Sequence, residues 1–183
     1  ADDLIATYAK HAEAAGIDVV VISADKDLMQ LIRPGVSMRD PMKNRDIGPE
    51  QVKEKFGVGP DKVVEVQALA GDSSDNVPGV PGIGIKTAAE LILQYGDLET
   101  LLAKAGEIKQ PKRRENLLAN AELARISKRL VTLKDDVPVE HPLEDLKWIA
   151  PDPKTLLDFI IAQGFKSLVA KVTSKLGGTA HSL

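Results

Sequence analysis

Six aspartates in three close pairs, Asp2 with Asp3, Asp25 with Asp27, and Asp72 with Asp75, are the residues of this chain best suited to chemistry. Carboxylates are the hard oxygen donors that Mg²⁺ and Mn²⁺ prefer, and because those ions keep several waters, few protein ligands per ion suffice. If the three pairs converge, at least one divalent cation is nearly required, since unneutralised carboxylates repel one another until some take up protons. Two ions about 3.5–4 Å apart would suit phosphodiester hydrolysis, one generating and orienting hydroxide while both stabilise charge on the transferring phosphate. The chain carries 27 acidic residues, so any single pair can arise by chance, and Asp2-Asp3 alone is ordinary favourable charge at a helix N-terminus. Three pairs, each at the boundary of an expected element, weaken that plainer reading.

The second chemical feature is GVPGIGIKTAAELI, residues 79–92. A glycine-rich turn ahead of Lys86-Thr87 invites comparison with the phosphate loop G-x-x-x-x-G-K-[ST], but Ile85 separates Gly84 from Lys86 and no clear buried strand precedes the loop. Nucleotide hydrolysis through this loop is therefore disfavoured. What remains is helix, Gly-x-Gly hairpin, helix. Gly82 and Gly84 let backbone N–H groups approach a phosphate, while Ile85, Lys86 and Thr87 open a helix whose N-terminal field favours an anion. Such a device grips a nucleic-acid backbone without reading bases. The alternative is a plain interhelical turn capped by glycine.

The elements that must position these residues follow from pattern. A first helix runs to about Ala15 and stops at Gly16. Ile17 to Ser23 is an apolar, β-branched run without alternation, which predicts a strand of a parallel sheet covered on both faces. Asp25 and Asp27 then lie just past its carboxyl end, where open α/β sheets place their sites. Val36 to Asp40 suggests a second strand after the Pro34-Gly35 turn. Pro49 and Pro60 suit the first positions of two helices. Residues 111–133 read as one long helix burying Leu117, Leu118, Ala121, Leu123 and Ala124, and Val131 to Val139 as extended. Two more helices, broken at Gly164, end in a polar tail over 176–183. Trp148 reads as a packing anchor.

Composition bounds the rest. With 183 residues, 28% charged and 43% hydrophobic, the chain suits one real core or two small ones. Cysteine is absent, which excludes disulfides, thiolate nucleophiles and cysteine-zinc sites. The net charge of −3 argues against a uniformly basic nucleic-acid binder but not against a basic patch. No run approaches the ~20 apolar residues of a membrane span and the start has no signal-peptide pattern, so the expected compartment is the cytoplasm. Because the chain opens directly on a helix without an initiator methionine, it reads as a piece of something longer.

ADDLIAT, VISADKDLMQLI and GDSSDNVPGVPGIGIKTAAELI, in that order, closely resemble the 5′-nuclease family of flap-endonuclease relatives, and within it the 5′→3′ exonuclease domains that stand at the front of bacterial DNA polymerase I. The match runs from residue 1 to about residue 175. The resemblance implies an α/β, predominantly helical fold: part of a PIN-like nuclease core over residues 1–48, then a helix-three-turn-helix (helix-hairpin-helix) DNA-binding region over 49–175. It implies metal-dependent 5′→3′ exonuclease and 5′-flap endonuclease activity on DNA in replication and repair, with two Mg²⁺ or Mn²⁺ ions. The metal ligands it implies are Asp2, Asp3, Asp25, Asp27, Asp72 and Asp75, of which Asp2, Asp25, Asp27 and Asp75 are the catalytic set. Gly82, Gly84, Ile85, Lys86 and Thr87 would hold the duplex backbone, with a K⁺ ion at the hairpin. DNA bearing a flap, nick or end is the expected partner, with no membrane, a polymerase domain on the same parent chain and a bacterial, nucleoid-associated setting. The family's upstream glutamate and two further aspartate ligands are not in this sequence, so the competing expectation is a sequence-independent DNA-binding module without a complete metal site.

Overall fold

The computed structural model of the chain describes residues 1–179. Residues 180–183 of the expected tail lie outside the described residues, and the part before them is helical to Thr179 rather than loose. The described chain divides into two compact units, the first Ala1–Leu143 and the second beginning at Glu144.

In the first unit, α1 (Asp2–Ala14) is followed by β1 (Val19–Ile22), β2 (Val36–Asp40) and β3 (Arg45–Ile47). Gly16, at φ 70°, ends α1 as expected. The sheet order is β1-β2-β3, with β1 parallel to β2 from Val19 against Val36 to Ile22 against Arg39, and β3 antiparallel to β2. The β2–β3 turn is held by the buried Asp40, whose Oδ1 accepts the N–H groups of Met42 and Lys43.

The expectation that β1 is covered on both faces is corrected. Val21 is buried against the core, but Val20 and Ile22 on the other face are 57% and 59% exposed. Side chains of a strand alternate, and β1 lies at the edge of a sheet whose core covers one face only.

The helices α2 (Pro49–Phe56), α3 (Val63–Ala70), α4 (Ile85–Tyr95), α5 (Leu98–Ala103), α6 (Pro111–Ala119) and α7 (Ala121–Val131) complete this unit. Proline opens α2 and, at Pro60, a 3₁₀ turn that leads into α3. Val63, Val66, Ala68 and Leu69 bury α3, which packs against α4 and α7.

Residues 111–133 form two helices rather than one. Asn120, at φ −118° and ψ 23°, leaves the helical region, and its amide donates to Asn116 O at 2.8 Å. An asparagine side chain offers the backbone that alternative to continuing a helix. Leu117 on α6 and Ala124 on α7 are buried, while Leu118, expected on the buried side, is 57% exposed.

In the second unit α8 (Pro153–Ala162) packs against α9 (Lys166–Thr179) across Gly164, at φ 71°. Asp152 caps α8, accepting Thr155 N–H at 2.9 Å. Trp148, expected to anchor packing, is 84% exposed because it lies in an irregular segment ahead of α8. Among the described residues no helix is long and apolar enough to cross a membrane.

Candidate metal centre and backbone-gripping hairpin

The chain leaves β1 through Ser23 and enters a 3₁₀ turn, Asp27–Leu31, whose Leu28, Met29 and Leu31 are buried. Those apolar anchors fix the turn, and Asp27 at its start is thereby held at the carboxyl edge of the sheet. Gln30 ties the same turn to the end of α7: its amide donates to Val131 O at 2.9 Å and its carbonyl accepts Leu133 N–H at 3.1 Å.

The loop after α3 brings in the second pair. Asp72 and Val77 exchange both backbone hydrogen bonds, at 2.8 and 2.7 Å, closing a short loop over Ser73–Asn76. Asp72 is buried, and its Oδ1 accepts Ser74 N–H at 2.9 Å. Asp75 projects from the loop, half exposed.

Ligand atoms of Asp27, Asp72 and Asp75 all lie within 4.8 Å of one another. The six aspartates therefore do not converge as one group. Asp25 Oδ1 accepts the N–H of Asp27 at 3.0 Å, a bond within its own loop. Asp3 Oδ1 accepts the N–H of Lys134 at 2.8 Å, anchoring the returning segment, and Asp2 sits beside it in the first turn of α1. None of these three belongs to the group of three carboxylates.

The ammonium of Lys26 meets the buried Asp72 Oδ2, which has no other hydrogen-bond partner, and lies 3.6 Å from Asp75 Oδ2. Its contact with Asp72 raises the Lys26 pKa against the opposing effect of burial. For Asp72, burial works upward, but the Lys26 ammonium and the Ser74 N–H together hold its carboxyl below the ordinary value. Burial pushes Asp27 the other way, above the ordinary value, although Gln67 and Lys26 stabilise its charge. Three carboxylates in reach of one ion, one of them a buried oxygen served only by a flexible ammonium, fit a hard divalent cation.

Beyond the loop the chain doubles back. Gly71 and Gly79 sit against one another at positive φ, and a Cβ on Gly79 would come within 2.4 Å of Gly71 N. Gly79 N–H also donates to the buried Ser127 Oγ on α7 at 3.0 Å. Val80 and Ile83 are buried and joined by a 3.0 Å bond from Ile83 N–H, so Pro81 and Gly82, at φ 78°, form the central pair of a type II turn. The turn ends at Gly84, the N-cap of α4. Gly82, Gly84, Ile85 and Lys86 are exposed and Thr87 half-buried, so the first turn of α4, whose leading N–H groups have no partner within the helix, is open to solvent. Asn116 of α6 steadies the tip by donating to Pro81 O at 2.7 Å.

Two family models match the chain: "5'-3' exonuclease, N-terminal resolvase-like domain" over residues 1–57 and "5'-3' exonuclease, C-terminal SAM fold" over residues 58–154. The chain belongs to the 5′-3′ exonuclease family. It is 53% identical to DNA polymerase I of Rhizobium leguminosarum over 94% of its length and 17% of that protein's. To DNA polymerase I of Bacillus caldotenax it is 43% identical, over 95% of the chain and 20% of the relative. The chain thus spans about a fifth of the length of these curated relatives. Among solved structures, T5 5′-exonuclease with divalent zinc ions bound superposes with a TM-score of 0.68 at 28% identity, covering 73% of this chain and 49% of that one. The α/β, largely helical architecture is that of this exonuclease family, and its two family models meet at residues 57 and 58, between α2 and α3.

Two residues at the site of this 5′-3′ exonuclease chain escaped the sequence reading. Lys26 stands between Asp25 and Asp27, and an alternation of acid and base there is itself a sign of paired charge. Gln67, 2% exposed on α3, donates from Nε2 to Asp27 Oδ1 at 2.6 Å. Its signal was a lone amide within the apolar run VVEVQALA.

Proposed function

We propose that this chain is part of a metal-dependent 5′→3′ exonuclease and 5′-flap endonuclease, working in the bacterial cytoplasm on the same polypeptide as a DNA polymerase. The observation that carries the proposal is the convergence of Asp27, Asp72 and Asp75 within 4.8 Å in a chain of the 5′-3′ exonuclease family. Support for the polymerase comes from the relatives, which are named DNA polymerase I and extend far beyond the matched segment.

Asp27, Asp72 and Asp75 would hold Mg²⁺ or Mn²⁺, with Asp2, Asp3 and Asp25 contributing to the ion shell through water or a second ion. The bound cation supplies Lewis-acid stabilisation of the phosphate and a hydroxide at neutral pH. The chain's own part is positional. The hairpin from Gly82 to Thr87 would hold phosphates of the duplex by backbone N–H groups and Lys86, a K⁺ ion bound there would add positive charge facing the phosphates, and the braced loop from Gly71 to Gly79 fixes that grip relative to the carboxylates. No protein nucleophile is needed.

A second reading, that this chain alone holds DNA without cutting it, is favoured by the place of Asp2, Asp3 and Asp25 outside the group of three. Both readings are tested with a fluorescent 5′-flap duplex. The proposal expects salt-sensitive, sequence-independent binding by the chain and cleavage by the longer protein in Mg²⁺ that stops in EDTA. Cleavage that persists in EDTA would contradict it.

A further inference from the structure

We propose that Gln67 is the positioning residue of the metal centre: its amide N–H aims the Asp27 carboxylate at the cation, and its carbonyl oxygen stands ready to accept a hydrogen bond from a water on that cation. The inference rests on the reading of Asp27, Asp72 and Asp75 as a metal centre and adds a residue that is not itself a ligand.

Gln67 is one of few polar side chains buried in the first unit, and its neighbours along α3 are apolar. Its two ends have different fates. Nε2 makes the 2.6 Å bond to Asp27 Oδ1, and among the described residues no other side chain is seen to donate a hydrogen bond to that carboxylate. Oε1 is buried and has no hydrogen-bond partner. The amide cannot relieve this by flipping, because Oε1 would then face an ionised carboxylate oxygen with no proton between them.

A buried acceptor without a donor costs stability, so packing alone does not account for a glutamine here. Waters on a hard divalent cation are strong donors, and Mg²⁺ and Mn²⁺ retain several of them. One amide that orients a ligand and meets a coordinated water with its other end is the kind of outer contact that tunes metal affinity. Gln67 reaches the site from α3, while Asp27 comes from the turn after β1, so the bond also joins the two segments that the family models separate.

The test compares Mn²⁺ affinity, measured by calorimetry, with thermal stability in EDTA, for the wild type, Gln67→Met and Gln67→Leu. Methionine keeps the length of the side chain and removes both polar ends. The variants are expected to melt in EDTA close to the wild type, because loss of the unpartnered oxygen offsets loss of the bond to Asp27, yet to bind Mn²⁺ about tenfold more weakly. A residue that merely fills space would lower the melting temperature and leave Mn²⁺ affinity of the folded protein unchanged, and that result in either variant overturns the inference. Asp75→Asn keeps the two readings apart. If the wild type binds Mn²⁺ and Asp75→Asn loses it, the metal reading stands and Gln67 is decided by its own variants; a wild type that binds no Mn²⁺ overturns both.

Discussion

Lys26 and Asp72 form an ion pair inside the group of carboxylates: the ammonium rests on the buried Asp72 Oδ2, where a divalent cation would bind. A resident cation and an incoming one compete for the same oxygen. Lys26→Met should destabilise the metal-free protein by about 1–3 kcal/mol, since a buried charge loses its partner. The same change should tighten Mn²⁺ binding, so denaturation in EDTA and in Mn²⁺ should show a larger metal-induced gain than in the wild type. Equal losses in both conditions would mean that Lys26 does not share the site.

The pH dependence follows from Asp27. Burial raises its pKa in the folded chain, so the folded state holds this proton at pH values where an unfolded aspartate, with a pKa of about 3.9, has lost it. Its contribution to stability is therefore present at low pH and is lost as the pH rises through the folded value. Metal binding requires the ionised form, so the sign for affinity is opposite. Mn²⁺ affinity should weaken as the pH falls through the raised Asp27 value, and calorimetry in two buffers of different ionisation enthalpy should detect proton release on binding.

The brace between the two halves of the loop can be tested without metal or DNA. Gly79 has φ 63° and an added Cβ would press on Gly71 N and Ala70 C at 2.4 and 2.7 Å, contacts with backbone that cannot swing away. Gly79→Ala should cost about 3 kcal/mol or more in urea denaturation. Gly84→Ala, which meets nothing within 4 Å, should cost no more than about 1 kcal/mol, the loss of a glycine N-cap.

The hairpin prediction concerns salt. Lys86 is exposed and shows no ion pair among the described residues, so its role in the proposed grip is with phosphate. Lys86→Ala should weaken duplex binding by a similar factor for every sequence tested and reduce the slope of log affinity against log salt by about one. Sequence-dependent loss in fluorescence anisotropy would point to base contact instead.

Much of this arrangement was legible in the chain itself. Gly16, Pro49 and Gly164 mark helix ends because turn chemistry is local, and the β-branched run Val19–Ile22 announces a strand for the same reason. What local pattern does not carry is which faces end up covered. Val20 and Ile22 read as core yet face outward at a sheet edge, and Asn120 breaks a helix whose apolar period runs on through it. The site shows the same division. The three aspartate pairs stand out by type and spacing, but their distances are tertiary, and the structure joins Asp27 to Asp72 and Asp75 while Asp3 and Asp25 hold backbone N–H groups. Gln67 acts across 40 residues of chain, a relation that no window of sequence displays.

The central claim, that these carboxylates organise metal for phosphodiester hydrolysis, is tested most directly by cleavage of a 5′-labelled flap duplex in Mg²⁺. The longer natural protein carrying this chain should be compared with its Asp27→Asn, Asp75→Asn double variant, with DNA binding and melting checked in parallel. The account predicts a rate lower by at least about a hundredfold, corresponding to loss of several kcal/mol of metal-borne stabilisation, with binding and fold retained. Flap cleavage at the wild-type rate by the double variant would contradict it.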